Sequence, residues 1–469
     1  MIALTLHHIS TVVSGVLHLD GTDTDDTIVN GSVQTDSRLV TPGSIFVAKP
    51  GEVTDGHAFA PAAHDAGAVL LLVERPLDLP VSQIVVPDVV LALGALASDV
   101  VAQVRALGRL QVIAVTGSNG KTTTKNLLRA ICERAGETVA PRGSFNNEVG
   151  APMTMLEVTE QTRYLIVEMG ANGRGKIATL VALVRPDVGI VLTVGLAHAG
   201  EFGGIAETVR AKSEMVTPLQ ATDVAVLNAD DPRVAGMADL TAAQVLWFGQ
   251  GPSAAVRSSD VRATRTGTHF RLHLASGAEH EVQFRVLGEH HVMNALAASA
   301  AAEVVGVPGA DIVAGLESVH RAERWRMEVL GGRDNVTIIN DAYNASPDSM
   351  AAALKTLAQI QQPGQRTIAV LGEMAELGEQ AGEEHDRIGL LTVRLNISQQ
   401  VVVGIRARRM HISTINEGSW DSESAYVETP DEAFELLRTL IQPGDIVLVK
   451  SSNSAGLRFL GDRLGELFS

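Results

Sequence analysis

Val115-Thr116-Gly117-Ser118-Asn119-Gly120-Lys121-Thr122-Thr123 stands between two patterned segments. Before it, Gln111 to Val115 is an apolar run that reads as a buried strand. After it, Lys121 to Gly136 carries Leu127, Leu128, Ile131 and Cys132 at helical spacing. Strand, glycine-rich turn and Gly-Lys-Thr at a helix start form the context of a phosphate-binding P-loop. Unpaired backbone N–H groups at the helix N-terminus point at an anion, and the helix dipole favours negative charge there. Lys121 is the expected cation for β- and γ-phosphates, and the Thr122 hydroxyl the expected Mg²⁺ ligand. The pattern departs from G-x-x-x-x-G-K-[ST] at its first position, where Val115 replaces glycine and the turn opens with Thr116-Gly117. Cys132 is expected to pack on the helix behind this loop.

Outward from the loop, the sequence predicts three α/β units. Residues 1–108 alternate short strands and turns, with Thr35-Asp36-Ser37-Arg38, a strand at Ser44 to Ala48 and another at Val69 to Val73. Residues 109–325 hold the P-loop and further strands at Tyr164 to Val167, Val188 to Thr193, Val224 to Leu227 and Val245 to Phe248. Helical patterns separate these strands, which predicts a mostly parallel sheet covered on both faces. Phe270, Leu272 and Leu274, then Val282, Phe284 and Val286, alternate with period two and predict an antiparallel ribbon. An alanine-rich helix, Asn294 to Val305, follows. Residues 326–469 place strands at Val336 to Ile339, Thr367 to Leu371, Gln400 to Val403 and Ile446 to Val449, as in a smaller doubly wound domain.

Composition sets the functional classes. The chain has 469 residues, 45% apolar and 19% charged, which is ordinary for globular domains. A formal net charge of −17 argues against a nucleic-acid partner. One cysteine excludes a disulfide framework within the chain and suits a reducing cytoplasm. Met1 to Asp20 lacks the basic region of a signal peptide. Val89 to Leu107 is apolar but contains Asp99, Gln103 and Arg105, so it reads as a surface or interdomain helix and no membrane insertion is expected.

Polar residues at strand ends are the candidates for chemistry, because strand C-termini border the ligand crevice of a parallel sheet. Glu168 ends Leu165-Ile166-Val167-Glu168 and can hold a metal or its water. His198, just after another strand, offers an imidazole ligand. Lys212 lies on a helix, where an exposed lysine is the ordinary reading. Asn146 and Asn147 offer amides to phosphate or sugar oxygens, although such pairs also make turns. Ser346 before Pro347 has the form of a helix N-cap. Asp341 and Asn344 stand unexplained at the same strand edge, and Gly372 to Gly378 and Lys450 to Asn453 follow two further strands. Three polar loops after three strands predict one shared rim.

Together these residues resemble the Mur ligase family, the ATP-dependent amide-bond ligases of bacterial cell-wall precursor synthesis. The loop Thr116 to Thr123 matches the family's T-G-[ST]-x-G-K-[ST]-[ST], atypical opening included. Thr35 to Arg38, Asn146-Asn147, Asn340 to Ala345 and Gly372 to Gly378 most resemble the member that joins D-alanyl-D-alanine to UDP-N-acetylmuramoyl-tripeptide. The resemblance implies a UDP-sugar domain, an ATP domain and a Rossmann-like domain that completes the site, in a cytoplasmic monomer. It implies ATP contacts from Thr116, Gly117, Ser118, Asn119, Gly120, Lys121, Thr122, Thr123, Asn294, Arg326 and Asp341. It implies substrate contacts from Ser37, Arg38, Asn146, Asn147, Tyr343 and Asn344. Two Mg²⁺ ions are implied, one on Thr122 and Glu168, the other on Glu168, His198 and a carbamylated Lys212. Two positions depart from the family pattern. His-Asn-x-x-Asn reads His290-His291-Val292-Met293-Asn294, and Lys-Gly-Ser-Arg reads Lys450-Ser451-Ser452-Asn453. The alternatives within the same chemistry are a diamino-acid-adding ligase, whose Asp-Asn-Pro-Arg loop is absent, and a folylpolyglutamate synthase. From another class, a non-ligase P-loop ATPase remains; a guanine-reading Asn-Lys-x-Asp string is absent.

Overall fold

A computed structural model describes residues 1–21, 23–51, 54–171, 173–195, 204–264, 266–320, 323–417 and 423–469. Among the described residues, three larger sheets follow one another along the chain. In the first, strands Val33–Gln34, Ile45–Val47, Leu70–Val73 and Ser82–Val85 run parallel, and Val16–His18 closes the edge antiparallel.

The second sheet carries the P-loop. Its central strand, Gln111–Thr116, is flanked by Tyr164–Glu168 and Val188–Val191, both parallel to it. Val224–Asn228 and Gln244–Gly249 extend the parallel run. The strands Gly267–His273 and Glu279–Phe284 form the predicted antiparallel ribbon. Phe270 and Phe284 meet edge to face at 6.2 Å across it. The central strands are buried on both faces, as their unbroken Val/Ile/Leu runs require. The helix that follows Gln111–Thr116 packs on one face of the sheet and the helix that follows its neighbour Tyr164–Glu168 packs on the other, so a crevice opens at the C-terminal ends of these two strands. That is where open α/β sheets bind ligands. The alanine-rich helix starts earlier than predicted, at His290–Val304, and is buried along most of its length. Small side chains let it pack close behind the helix Lys121–Cys132. Cys132 is fully buried there, and burial pushes its thiol up to about 12.

In the third sheet, Thr337–Asn340, Ile446–Lys450, Thr367–Leu371, Gln399–Val403 and Ser424–Val427 run parallel, with Glu328–Gly331 antiparallel at one edge. The helices Pro347–Gln359 and Leu457–Leu467 cover opposite faces.

The helix Val89–Ala106 is long and apolar enough to cross a membrane by length and composition. Here it packs between the first two sheets. Asp88 caps its N-terminus by accepting from Val90 and Leu91 N–H at 2.8 and 3.0 Å. Val89, Leu93, Leu96 and Val100 join one apolar cluster that runs from Leu4 and Ile84 to Val181 and Leu219. Ser98 Oγ donates to Leu183 O at 2.9 Å, and Arg105 pairs with Asp187 at 2.5 Å. This is the interdomain placement that the interspersed Asp99, Gln103 and Arg105 predict. Matching three-sheet architecture, the fold is the expected α/β arrangement: a small N-terminal unit, a mostly parallel P-loop unit and a Rossmann-like C-terminal unit.

Candidate active site

The P-loop turns on two glycines with positive φ. Gly117 has φ +155°, and a side chain there would strike Leu192 at 2.9 Å. Gly120, at φ +85°, precedes the helix Lys121–Cys132; a Cβ would meet Asn294 Oδ1 at 2.2 Å. Glycine at 120 therefore lets Asn294 press against the loop backbone. Lys121 folds back so that Nζ donates to Gly117 O at 2.7 Å. Burial pushes its amine down, Glu168 pulls it up and Arg326 pushes it down again. Thr116 is tied below the loop by its hydroxyl, which donates to Met169 O at 2.8 Å. Ser118 Oγ accepts from Gly195 N–H at 2.9 Å.

Glu168 ends its strand almost fully buried. Oε1 accepts from Asn146 Nδ2 at 2.9 Å, while Oε2 has no hydrogen-bond partner among the described residues. An unpaired buried carboxylate oxygen is costly, and a cation is the usual remedy. Thr122 lines the same cleft and is buried, with its hydroxyl 3.4 Å from Ser144 Oγ. Among the described residues no three His, Cys, Asp or Glu side chains cluster as a ready-made metal cage. The donor set is thus one carboxylate and one hydroxyl, both oxygen, as Mg²⁺ prefers. His198 lies outside the described residues.

Lys212 is not the exposed helix lysine of the ordinary reading. It sits on the helix Ile205–Ser213 with 3% exposure. Burial pushes its amine down to about 7; cationic Lys121 acts in the same direction and Glu214 opposes. A lysine so placed holds a substantial neutral fraction near pH 7, the form that reacts with CO₂.

The third sheet supplies the other wall. Arg326 stacks on the Tyr343 ring at 4.3 Å, and its Nη2 lies 3.4 Å from Thr122 Oγ1. The Tyr343 hydroxyl meets Ser144 Oγ at 3.2 Å. Asp341 accepts from Met327 N–H at 3.0 Å and pairs with buried Lys450 at 2.6 Å. Lys450 also donates to Asn344 O at 3.1 Å. The three predicted rim loops are stitched together: Ser452 N–H donates to Glu373 O at 2.8 Å, and Ala375 N–H donates to Ser452 Oγ at 2.9 Å. Ser346 caps the helix Pro347–Gln359 in a capping box with Ser349, and its hydroxyl also donates to Asn119 Oδ1 at 3.2 Å.

These walls enclose a cleft of about 730 Å³. It brings together Ser118 to Thr123, Asn146, Glu168, Asn294, Arg326, Asp341, Tyr343 and Asn344. Ser37, Arg38, Thr116, Gly117, Asn147 and Lys212 are not among its lining residues. Arg38 is exposed and forked onto Asp36 at 2.6 Å, and Ser37 opens a 3₁₀ turn in the first unit. Asn147 accepts from Val149 and Gly150 N–H at 3.2 and 2.9 Å, so its amide shapes a turn.

Several residues in or behind the cleft wall were given no site role by the sequence reading. Lys125 is buried one turn beyond Lys121 and donates to Pro141 O and Gly143 O at 2.9 and 3.1 Å, fixing the loop that carries Ser144. Its four-residue spacing from Lys121 was the available signal. Asp231 accepts from Val194 N–H at 2.8 Å, and Arg233 donates to Val194 O at 3.0 Å; both follow a strand end, the position that flagged Glu168. His290 and His291 stack at 4.1 Å. Burial pushes His290 down to about 4, with Asp341 pulling it up and Lys450 pushing it down, and burial holds His291 well below the ordinary imidazole value, with His290, Arg326 and Lys450 adding to the effect. His291 Nδ1 lies 3.1 Å from Asn294 Nδ2, an N–H donor, which makes Nδ1 the acceptor and places the proton on Nε2. Nε2 is buried without a hydrogen-bond partner among the described residues.

Comparison with known proteins agrees with this geometry. Residues 31–114 match the family model "Mur ligase family, catalytic domain", 115–302 the "Mur ligase middle domain" and 325–453 the "Mur ligase, glutamate ligase domain". The UDP-N-acetylmuramoyl-tripeptide–D-alanyl-D-alanine ligase of Mycobacterium tuberculosis is 43% identical over 99% of this chain and 98% of its own length. A crystal structure of MurF from Acinetobacter baumannii superposes with a TM-score of 0.88 at 33% identity, covering 99% of both chains. The Thermotoga maritima MurF ligase, solved in complex with ADP, gives 0.79 at 25% identity over 94% of this chain and 97% of that one. A P-loop, a buried carboxylate and a third-sheet rim meeting in one cleft, carried along the whole length of such relatives, place the chain in the Mur ligase family.

Proposed function

We infer that the chain is an ATP-dependent ligase that adds D-alanyl-D-alanine to UDP-N-acetylmuramoyl-tripeptide in peptidoglycan precursor synthesis. The observation that carries this is the cleft shared by two sheets. Lys121 and the loop amides stand on one side, and Arg326, Asp341, Tyr343, Asn344 and Lys450 on the other, with the Gly372 to Gly378 loop bonded behind them to Ser452. The Mycobacterium tuberculosis relative is named for these two substrates.

The tripeptide's terminal carboxylate attacks the γ-phosphorus of ATP, the bond to ADP breaks, and an acyl phosphate forms. The dipeptide amine then attacks the acyl carbon, loses a proton and expels phosphate. Lys121 and Arg326 oppose the charge gathered on the transferring group. The loop amides orient the phosphates, Tyr343 supports Arg326, and closure of the third unit against the P-loop excludes the water that would hydrolyse the acyl phosphate. Mg²⁺ fits the unpaired Glu168 oxygen and the Thr122 hydroxyl of the same cleft, and when bound it neutralises phosphate charge. A second ion on Glu168, His198 and carbamylated Lys212 is supported by the burial and lowered basicity of Lys212. In the first unit, Ser37 and Arg38 are assigned to the UDP-sugar, and Asn146, Asn147, Tyr343 and Asn344 to the acceptor and tripeptide. Domain limits near 108/109 and 325/326, a cytoplasmic location and a monomeric state complete the reading.

The test is phosphate release with each substrate omitted in turn. Release that requires the UDP-linked tripeptide and D-alanyl-D-alanine together supports the assignment. Equal turnover with a free diamino acid or with the UDP-dipeptide defeats it.

A further inference from the structure

Arg326 enters the cleft from a backbone that L-residues avoid. Trp325 and Met327, its two neighbours, have φ of +59° and +48°. A bulky side chain in the left-handed region crowds its own carbonyl, so surrounding contacts must hold it there. One is a backbone bond, from Tyr343 N–H to Trp325 O at 3.1 Å, and the others are to carboxylates. Trp325 N–H donates to Glu328 Oε2 at 2.9 Å, and Met327 N–H donates to Asp341 Oδ1 at 3.0 Å. The Trp325 indole N–H donates to both oxygens of Asp462 at 3.0 Å.

Asp462 lies midway along the helix Leu457–Leu467, away from the cleft lining. It accepts also from Arg324 Nη2 at 2.9 Å and from buried Asn340 Nδ2 at 3.1 Å. Phe459 meets the indole edge to face at 6.1 Å, and the Arg458 guanidinium lies 5.3 Å from the ring. The Arg326 side chain makes few polar contacts, a 3.4 Å approach to Thr122 and a stack on Tyr343, with its buried Nε without a hydrogen-bond partner among the described residues, while its backbone N–H donates to Glu323 O at 3.3 Å. Its aim is therefore set by its neighbours' anchors more than by its own bonds.

We propose that Asp462 is a positioning residue of the ligase, acting through the Trp325 indole to hold the Arg326 guanidinium toward the nucleotide. This rests on the reading of Arg326 as an ATP contact. The anchor does not touch substrate; it fixes the strained turn from which the contact projects.

The test is a kinetic double-mutant cycle on the full chain, with unfolding temperatures measured alongside. Asp462→Ala and Trp325→Phe should each raise the KM for ATP about tenfold, the scale of a lost charged hydrogen bond, with the KM for the dipeptide unmoved. Asp462→Asn keeps an indole acceptor and should recover most of the loss. In an Arg326→Ala background, neither substitution should add further loss. Trp325→Phe supplies the same cycle should Asp462→Ala fold poorly. Additive losses over a raised Arg326→Ala KM would overturn the positioning role while sparing Arg326. An unchanged ATP KM in Arg326→Ala would instead remove the nucleotide contact, and the proposal with it.

Discussion

Ser346 Oγ donates to Asn119 Oδ1 at 3.2 Å, so the residue that starts a helix of the third sheet also touches the P-loop of the second. One hydroxyl thus serves helix capping and domain contact. Ser346→Ala should lower stability by about 1 kcal/mol, the usual value of an N-cap. It should also weaken ATP binding. Ser346→Asp restores a cap acceptor but cannot donate to Asn119. Calorimetry of both variants separates the two roles: stability should return with Asp and nucleotide affinity should not.

Glu168 divides its two oxygens between Asn146 and the cleft. Glu168→Gln keeps the size and supplies an amide where a cation ligand is expected. The Mg²⁺ concentration for half-maximal activity should rise by an order of magnitude or more, with stability kept or improved because an uncompensated buried charge is removed. A Mg²⁺ titration that overlays the parent's would contradict the role.

Lys121→Ala removes the cation beneath the loop, and the rate of amide formation should fall on the order of 10²-fold or more. Near-normal single-turnover rates would dismiss the assignment.

Lys212→Ala should fold and be nearly inactive, and short carboxylates added to the buffer should restore part of the turnover in place of the carbamate. Lys212→Arg should stay inactive, since guanidinium neither captures CO₂ in this way nor ligates a cation. Intact-mass analysis under CO₂-free and bicarbonate buffers, with activity followed in parallel, gives the direct reading. Full activity of Lys212→Arg would return this residue to a packing role.

His290 is held down to about 4 in the folded chain, against an ordinary value of 6.5. Between these values the unfolded chain binds the extra proton and the folded one does not. Stability therefore falls as pH drops from about 6.5 towards about 4, and is fully regained above that window. His290→Gln should flatten this part of the stability–pH profile measured by denaturant unfolding.

The sheets were readable because their strands are buried on both faces and so are written as apolar runs. Thr367–Leu371 coincides with its prediction, and the other predicted central strands shift by a residue or two at their ends, where capping and turn bonds decide. The site was partly readable. Lys121, Glu168 and Asp341 announce themselves by position after strands. Lys212 did not, because a helix lysine looks alike in sequence whether exposed or enclosed; only tertiary packing shows that it is buried. Ser144 and Lys125 were silent for a similar reason. Their partners, Tyr343 and the Pro141 to Gly143 carbonyls, are brought in by loops without periodicity.

The helix Val89–Ala106 gives the first two sheets a common apolar interior, whereas the cores around the third sheet are built almost wholly from residues beyond 326, joined by Leu287 and Ala263. The P-loop unit cut free of residues 1–108 would expose a greasy flank and aggregate. The C-terminal unit, facing its neighbours largely through side-chain hydrogen bonds, can part from them at little hydrophobic loss. The molecule is in this sense built in two pieces, one cast whole from two sheets and the other set against it largely by polar seams such as Asn119 to Ser346 and Ser144 to Tyr343.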